Sequence, residues 1–361
     1  MVRRVLQAVL YLSLFLAGCG GEAAQGGGTP VVPPPVANYT LSPNVRVLPD
    51  GAVAAVTDTT VTLATGAGVP RVGDILISNA GPFQFVRRVV AVDGSVITTN
   101  GEVSLVEIFE TANIEEVNAI PPEALARLQP AAPGITFGPP ESIQIPADAL
   151  LQISPQLAGR AVHARPGDTI TLVSVPINFD NVTVNDGLGN VRCKVTGKAN
   201  VFLGLEAMLD ISGFPPSYRG FRLVPIAALA GEVNVVGSAT GSFSKQLPIN
   251  VTGDVPLPPI GGLVPLEGNL SLILEVNGRF DAGGEMKFSG GVSAKFGVGH
   301  DPGRGFFTVG DIQKFFTVTP PVVLASAEVG VTMIKPELTI GLADGIPGIA
   351  IGLFVRADVL R

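Results

Sequence analysis

The sequence predicts an all-β fold: a small β-barrel/sandwich-like N-terminal module followed by a large antiparallel β-sandwich-like domain. Three observations carry that reading. Apolar residues come in short runs rich in Val, Ile, Thr and Phe, the types that fit a pleated, half-buried surface. Those runs are cut by 45 glycines and 31 prolines, which punctuate strands and break helices. Charged residues make up only 15% and Trp is missing, so long Ala-, Glu-, Lys- and Leu-rich helical stretches are nearly absent. The 361 residues suffice for one large or two ordinary domains.

The chain opens with MVRRVLQAVLYLSLFLAGCGG. Arg3 and Arg4 form a short positive segment, Val5 to Ala17 is apolar, and the small residues Ala17 and Gly18 precede Cys19. That layout is a secretory signal, too short for a comfortable membrane-spanning helix. The tetrad Leu16-Ala17-Gly18-Cys19 resembles the lipobox of bacterial lipoproteins. The resemblance implies that residues 1–18 are removed and that Cys19 carries lipid, whose acyl chains then anchor the protein to the membrane. In Gram-negative members an Asp after the lipidated Cys favours inner-membrane retention. Gly20 stands here instead, so the resemblance implies the outer membrane or the cell surface. Residues 19–38 are Gly-rich and then Pro-rich, a flexible and then extended tether.

Residues 39–114 read as the small β module. Strands are expected at 53–56 and 60–63 about a Thr57-Asp58-Thr59 turn, then at 74–78, 83–92 and 95–99. Asp93-Gly94 is a type I′ hairpin signal. Val72-Gly73-Asp74-Ile75-Leu76 followed by Phe85-Val86-Arg87-Arg88-Val89-Val90 resembles the paired core strands of type I signal peptidases over roughly 25 residues. The position of that family's catalytic Lys is taken by Arg87, which stays protonated, and its Ser-Met-x-Pro nucleophile motif is missing. The resemblance therefore implies a similar strand pair and no retained chemistry. Residues 115–141 read as a helix, EEVNAIPPEALARL over 115–128, followed by a Pro-rich linker.

The large antiparallel domain is expected over 142–361. Strands are predicted at 142–146, 169–175 and 199–211, with a hairpin over 179–195 turning at Asn185-Asp186-Gly187. Others are predicted at 232–236, 241–251, 269–280, 285–298, 322–333, 337–342 and 349–360. Several alternate apolar and polar residues, as in a sandwich with one solvated face. The same alternation suits a transmembrane barrel, but three Tyr and no Trp leave aromatic girdles thin.

Motifs that would carry chemistry are scarce. His163 and His300 stand in no metal-ligand spacing, and the HDPGRG stretch around His300 reads as a turn. Asp180, Asn181, Asn185, Asp186 and Asn190 form an oxygen-rich run of the kind that holds Ca²⁺, or simply a tight hairpin; no metal or cofactor is assigned. With Cys19 acylated, Cys193 has no partner and reads as a quiet, strand-borne thiol. A formal charge of −7, more negative once Arg3 and Arg4 are removed, disfavours nucleic acid. The reading is a lipid-anchored, non-enzymatic envelope protein with a structural, adhesive or ligand-binding role. Alternatives are a carrier of apolar lipid, a hydrolase without recognisable motif, or an outer-membrane barrel. The stretch GFPPSYRGF, 213–221, is a candidate contact loop, with Tyr218 and Arg219 as binding residues.

Overall fold

The computed structural model describes residues 36–79, 83–101, 103–154, 168–185, 192–237, 241–251, 253–280, 284–319, 327–342, 349–352 and 357–358. Cys19, His163, Asp186 and Asn190 lie outside them. The all-β expectation is met: among the described residues, helices are confined to three short segments. None of those among the described residues is long and apolar enough to cross a membrane.

The described chain begins with β1 (Val36–Leu41), which spans the end of the expected tether and the start of the expected small module. It continues through β2 (Val45–Val47), β3 (Val53–Val56), β4 (Thr60–Leu63), β5 (Ile75–Ser78), β6 (Phe85–Asp93) and β7 (Val96–Asn100). Strands β2 to β7 form a six-stranded sheet in the order β2-β5-β6-β7-β4-β3. Asp93-Gly94 makes the β6–β7 turn, and Gly94 has φ +59°, the left-handed backbone that such a turn requires. On one face Val61, Leu76, Phe85, Val89 and Ile97 form a core of their own. Ile75, Ile77 and Val86 join the main core instead. Every residue of β5 is consequently buried. Arg87 is nearly enclosed: its guanidinium lies 5.6 Å from the Phe85 ring centroid and donates to the Thr57 carbonyl at 2.5 Å. It closes the module rather than facing a substrate.

Next come α1 (Leu105–Ile108), β8 (Phe109–Ala119), α2 (Pro122–Leu125), β9 (Ile135–Phe137), β10 (Glu141–Pro146) and α3 (Ala147–Ile153). This corrects the helix expected over 115–128, of which only α2 is helical. Residues 115–119 are strand because Ala112, Ile114 and Val117 are buried, and β8 is bonded to β1 on one edge. Tertiary pairing overrides the weak local preference. β1 and β8 thus belong to the main body, and the small sheet spans only 45–100.

The body is built from long strands: β11 (Thr169–Asn185), β12 (Arg192–Ser212), β13 (Ser217–Gly237), β14 (Gly241–Pro248), β15 (Gly253–Ile260) and β16 (Val264–Phe280). β17 (Gly284–Asp301), β18 (Gly305–Thr319), β19 (Ala327–Leu342), β20 (Ile349–Gly352) and β21 (Ala357–Asp358) complete it. A nine-stranded sheet runs β1-β8-β12-β13-β17-β18, with β11 also on β12 and with β9 and β10 on β11. A second sheet runs β14-β16-β19-β20, with β15 on β16 and β21 on β19. Gly237 faces Gly284 in the first sheet and Gly241 faces Phe280 in the second. Likewise Lys287 faces Thr319, and Phe280 faces Ala327. The same three passes of chain therefore contribute a strand to each sheet, in matching order. Strands that switch sheets in this way are how sandwich corners are made.

One apolar core joins the two sheets, with Leu203, Leu205 and Leu209 of β12 in one cluster with Leu257, Leu266 and Leu270. Residues 201–207 are buried throughout, so this half of β12 is covered on both faces. On the far face Ser293 Oγ donates to the Ala149 carbonyl at 2.9 Å and docks α3 there. Beyond Ala207 the alternation returns: Leu209 and Ile211 are buried, whereas Asp210 is exposed.

Candidate functional site

Where the nine-stranded sheet is uncovered, its outer face carries a groove of 540 Å³ beside the β12–β13 turn. The elements set its floor by register. Asn38 of β1 faces Asn113 of β8, and Asn113 faces Asp210 of β12. Two residues along, Thr40 faces Thr111, and Ser212 follows Ile211, the partner of Ala112. Strand side chains alternate between faces. With Ala112, Ile114, Leu209 and Ile211 turned into the core, the intervening polar residues all point outward. The result is two parallel rows, one of two amides and a carboxylate, the other of three hydroxyls. Tyr39 lines the edge, exposed at 38% and packed edge-on against Phe109 with ring centroids 5.4 Å apart.

Ser212 belongs to both the groove and the turn. Its carbonyl accepts from Ser217 Oγ at 3.2 Å and its hydroxyl accepts from Arg219 Nε at 3.3 Å. Gly213, at φ +98°, supplies the left-handed backbone of the turn. Phe214 at the tip is 98% exposed.

The structure places the two sequence-predicted binding residues on strand β13, just past the turn and not in a loop. Arg219 is exposed and braces Ser212 at the groove's end. Tyr218 instead packs partly against the main core. Burial pushes its phenol above the ordinary value, an effect opposed by hydrogen bonding with the backbone of Leu105 and Val106. Tyr218 therefore fastens β13 to α1, while Arg219 touches the groove.

The other polar candidates stay apart from it. His300 sits in β17 opposite Phe221 and Phe306. Residues 302–304 form the expected turn, closed by Gly303 N–H donating to Asp301 Oδ1 at 2.8 Å. Asn181, at φ +51°, donates to the Asp180 carboxylate at 2.9 Å. Among the described residues no group of three His, Cys, Asp or Glu side chains is placed to hold a metal ion. Cys193 is buried in the main core, and burial pushes its thiol up to about 11. Glu206, almost fully buried, is held by Arg222 with Nε 3.3 Å from Oε1, the partner an enclosed carboxylate needs.

Sequence reading missed Asn38, Thr40, Thr111, Asn113 and Asp210. The signal was present in Asn-Tyr-Thr, Thr-Ala-Asn and Asp-Ile-Ser, which share a polar-apolar-polar phase. Only the strand order shows that the three segments are neighbours. No family model matches this chain, and neither the curated proteins nor the solved structures contain a match to it.

Proposed function

We propose that the chain is a lipid-anchored protein of the bacterial outer membrane or cell surface, whose β body binds an envelope or surface ligand without catalysing a reaction. The anchor rests on the resemblance of Leu16-Ala17-Gly18-Cys19 to a lipobox. The observation that carries the binding role is the polar groove, open to solvent on the sheet's uncovered face and ending at the braced Phe214 turn. The described chain begins at Val36, on the strand that supplies Asn38 and Thr40. A tether from Cys19 would thus enter the body beside the groove.

The anchor is tested by expressing the full chain in a Gram-negative host fed an alkyne-tagged palmitate analogue. The wild type is expected to take up the tag and to fractionate with outer membranes. Cys19→Ala is expected to lose both properties. Label retained by Cys19→Ala, or unchanged membrane association without it, would overturn the assignment.

A further inference from the structure

We propose that the groove formed by Asn38, Thr40, Thr111, Asn113, Asp210 and Ser212 is a binding site for a neutral oligosaccharide laid across the strands. The inference deepens the ligand-binding reading above and names its ligand class; it does not depend on the anchor.

Three observations lead to this class. The first is the periodicity of the floor. Neighbouring strands lie about 4.8 Å apart, and same-face residues along one strand about 6.8 Å apart. A ligand crossing β1, β8 and β12 therefore meets one hydrogen-bonding side chain at each strand, in two parallel rows. A chain of linked pyranose units presents hydroxyls at a similarly regular spacing along both edges.

The second is availability. Among the described residues, the side chains of Asn38, Thr40, Thr111, Asn113 and Asp210 make no hydrogen bond or ion pair within the chain. Comparable surface pairs elsewhere do engage each other, as Asn269 with Asp254 at 3.0 Å and Gln144 with Thr171 at 2.8 Å. The groove's donors and acceptors are left for something outside the fold. They also lie on a rigid sheet, so little ordering cost falls on binding.

The third is charge. The floor holds one carboxylate and no cation, and Arg219 stands only at the end, braced on Ser212. Phosphate or uronate groups would be repelled by Asp210, whereas a carboxylate accepts strongly from neutral hydroxyls. Asn38 and Asn113 add both donors and acceptors, the mixed set that a sugar hydroxyl, itself donor and acceptor, can use. An apolar ligand would strand Asn38, Thr40, Thr111, Asn113 and Asp210, each at a desolvation cost.

The test uses the full detergent-solubilised chain in isothermal titration calorimetry with chitohexaose, cellohexaose and maltoheptaose as neutral probes. Oligogalacturonate of similar length is the anionic probe. Saturable binding of at least one neutral probe is expected, with the anionic probe weaker. Asn113→Ala combined with Asp210→Ala should weaken binding about tenfold or more, the loss that follows from one or two hydrogen bonds. Thr111→Val, which keeps the shape, should give a smaller loss in the same direction. All these positions are exposed, so the circular dichroism spectrum and melting temperature should not change. No saturable binding of any neutral probe would overturn the proposal, as would preference for oligogalacturonate or wild-type affinity in the double variant. None of these outcomes bears on acylation of Cys19, so the two readings fail separately.

Discussion

The small sheet and the body reach an apolar interior by different routes. In the small sheet, strands of three to nine residues are separated by turns of explicit chemistry, and β5 gives Ile75 and Ile77 to one core and Leu76 to the other. In the body, β12 and β13 run 21 residues each, and one stretch of β12 is buried on both faces before alternation resumes at Leu209. A short strand sandwiched between two cores is enclosed by its neighbours. A long strand passes from a covered zone to an open one, and the open end is where a ligand can be met. The groove lies at that transition on β12.

The comparison is broken most forcefully at Phe85, which is fully buried in the small core and carries the Arg87 guanidinium on its ring. Phe85→Ala should cost about 3–5 kcal/mol, the usual range for an aromatic cavity. Because Ile75, Ile77 and Val86 of the same sheet lie in the body's core, the loss should appear as a lower single melting transition. A separate early transition in calorimetry, with the main one unmoved, would show that the small sheet is energetically independent.

The same contrast explains what the sequence disclosed. The Asp93-Gly94 turn and the strands around it were legible because short strands need turn residues. The helix expected over 115–128 was drawn too long: only Pro122–Leu125 is helical, and Glu115 and Glu116 lie in β8. Their segment instead completes a ladder with β1 and β12, partners distant in sequence. Prolines concealed the long strands. Pro225 lies within β13 where pairing with β17 lapses between Leu223 and Ile226, so its missing N–H removes no ladder bond there. Pro336 falls between the stretches of β19 that pair with β20 and β21. Pro256, Pro258 and Pro259 stand in β15, which among the described residues bonds only to β16. Edge and gap positions are where a strand tolerates proline, but sequence alone does not mark them. The groove was hidden for a related reason: its two rows come from three segments that only strand order brings together.

Cys193 sharpens the body's side of the comparison. It faces Gly237 across the ladder and is buried among core side chains. Exchange for Ser would bury a hydroxyl and should cost about 1–3 kcal/mol. Burial raises the thiol's pKa to about 11 from an ordinary 9.0, so the folded state prefers the neutral form. That contribution is fully present below about pH 9 and is lost as the pH climbs toward 11. In a Cys19→Ala chain at pH 8, a maleimide should label Cys193 only after denaturant is added. Rapid labelling of the native chain would show that this part of the body opens readily.

The smallest expected effect lies at the joint between the two regions. Ser104 and Glu107 form a capping box at the start of α1, which leads from the small sheet into β8. Glu107 also reaches back to β6, where Arg88 Nη2 donates to its carboxylate at 2.6 Å. The hydrogen bond from the Ser104 backbone is the largest cause holding the Glu107 carboxyl below its ordinary 4.5, with Arg88 adding to it. The ionised form is therefore the one the fold favours. Its contribution is present above pH 4.5 and disappears as the pH falls through the lowered value. The carboxylate is 44% exposed, so solvent screening limits Glu107→Gln to about 0.2–1 kcal/mol. The loss should be visible in urea melts at pH 7 and should shrink below pH 4. An equal loss at both pH values would assign the effect to the cap's geometry rather than to its charge.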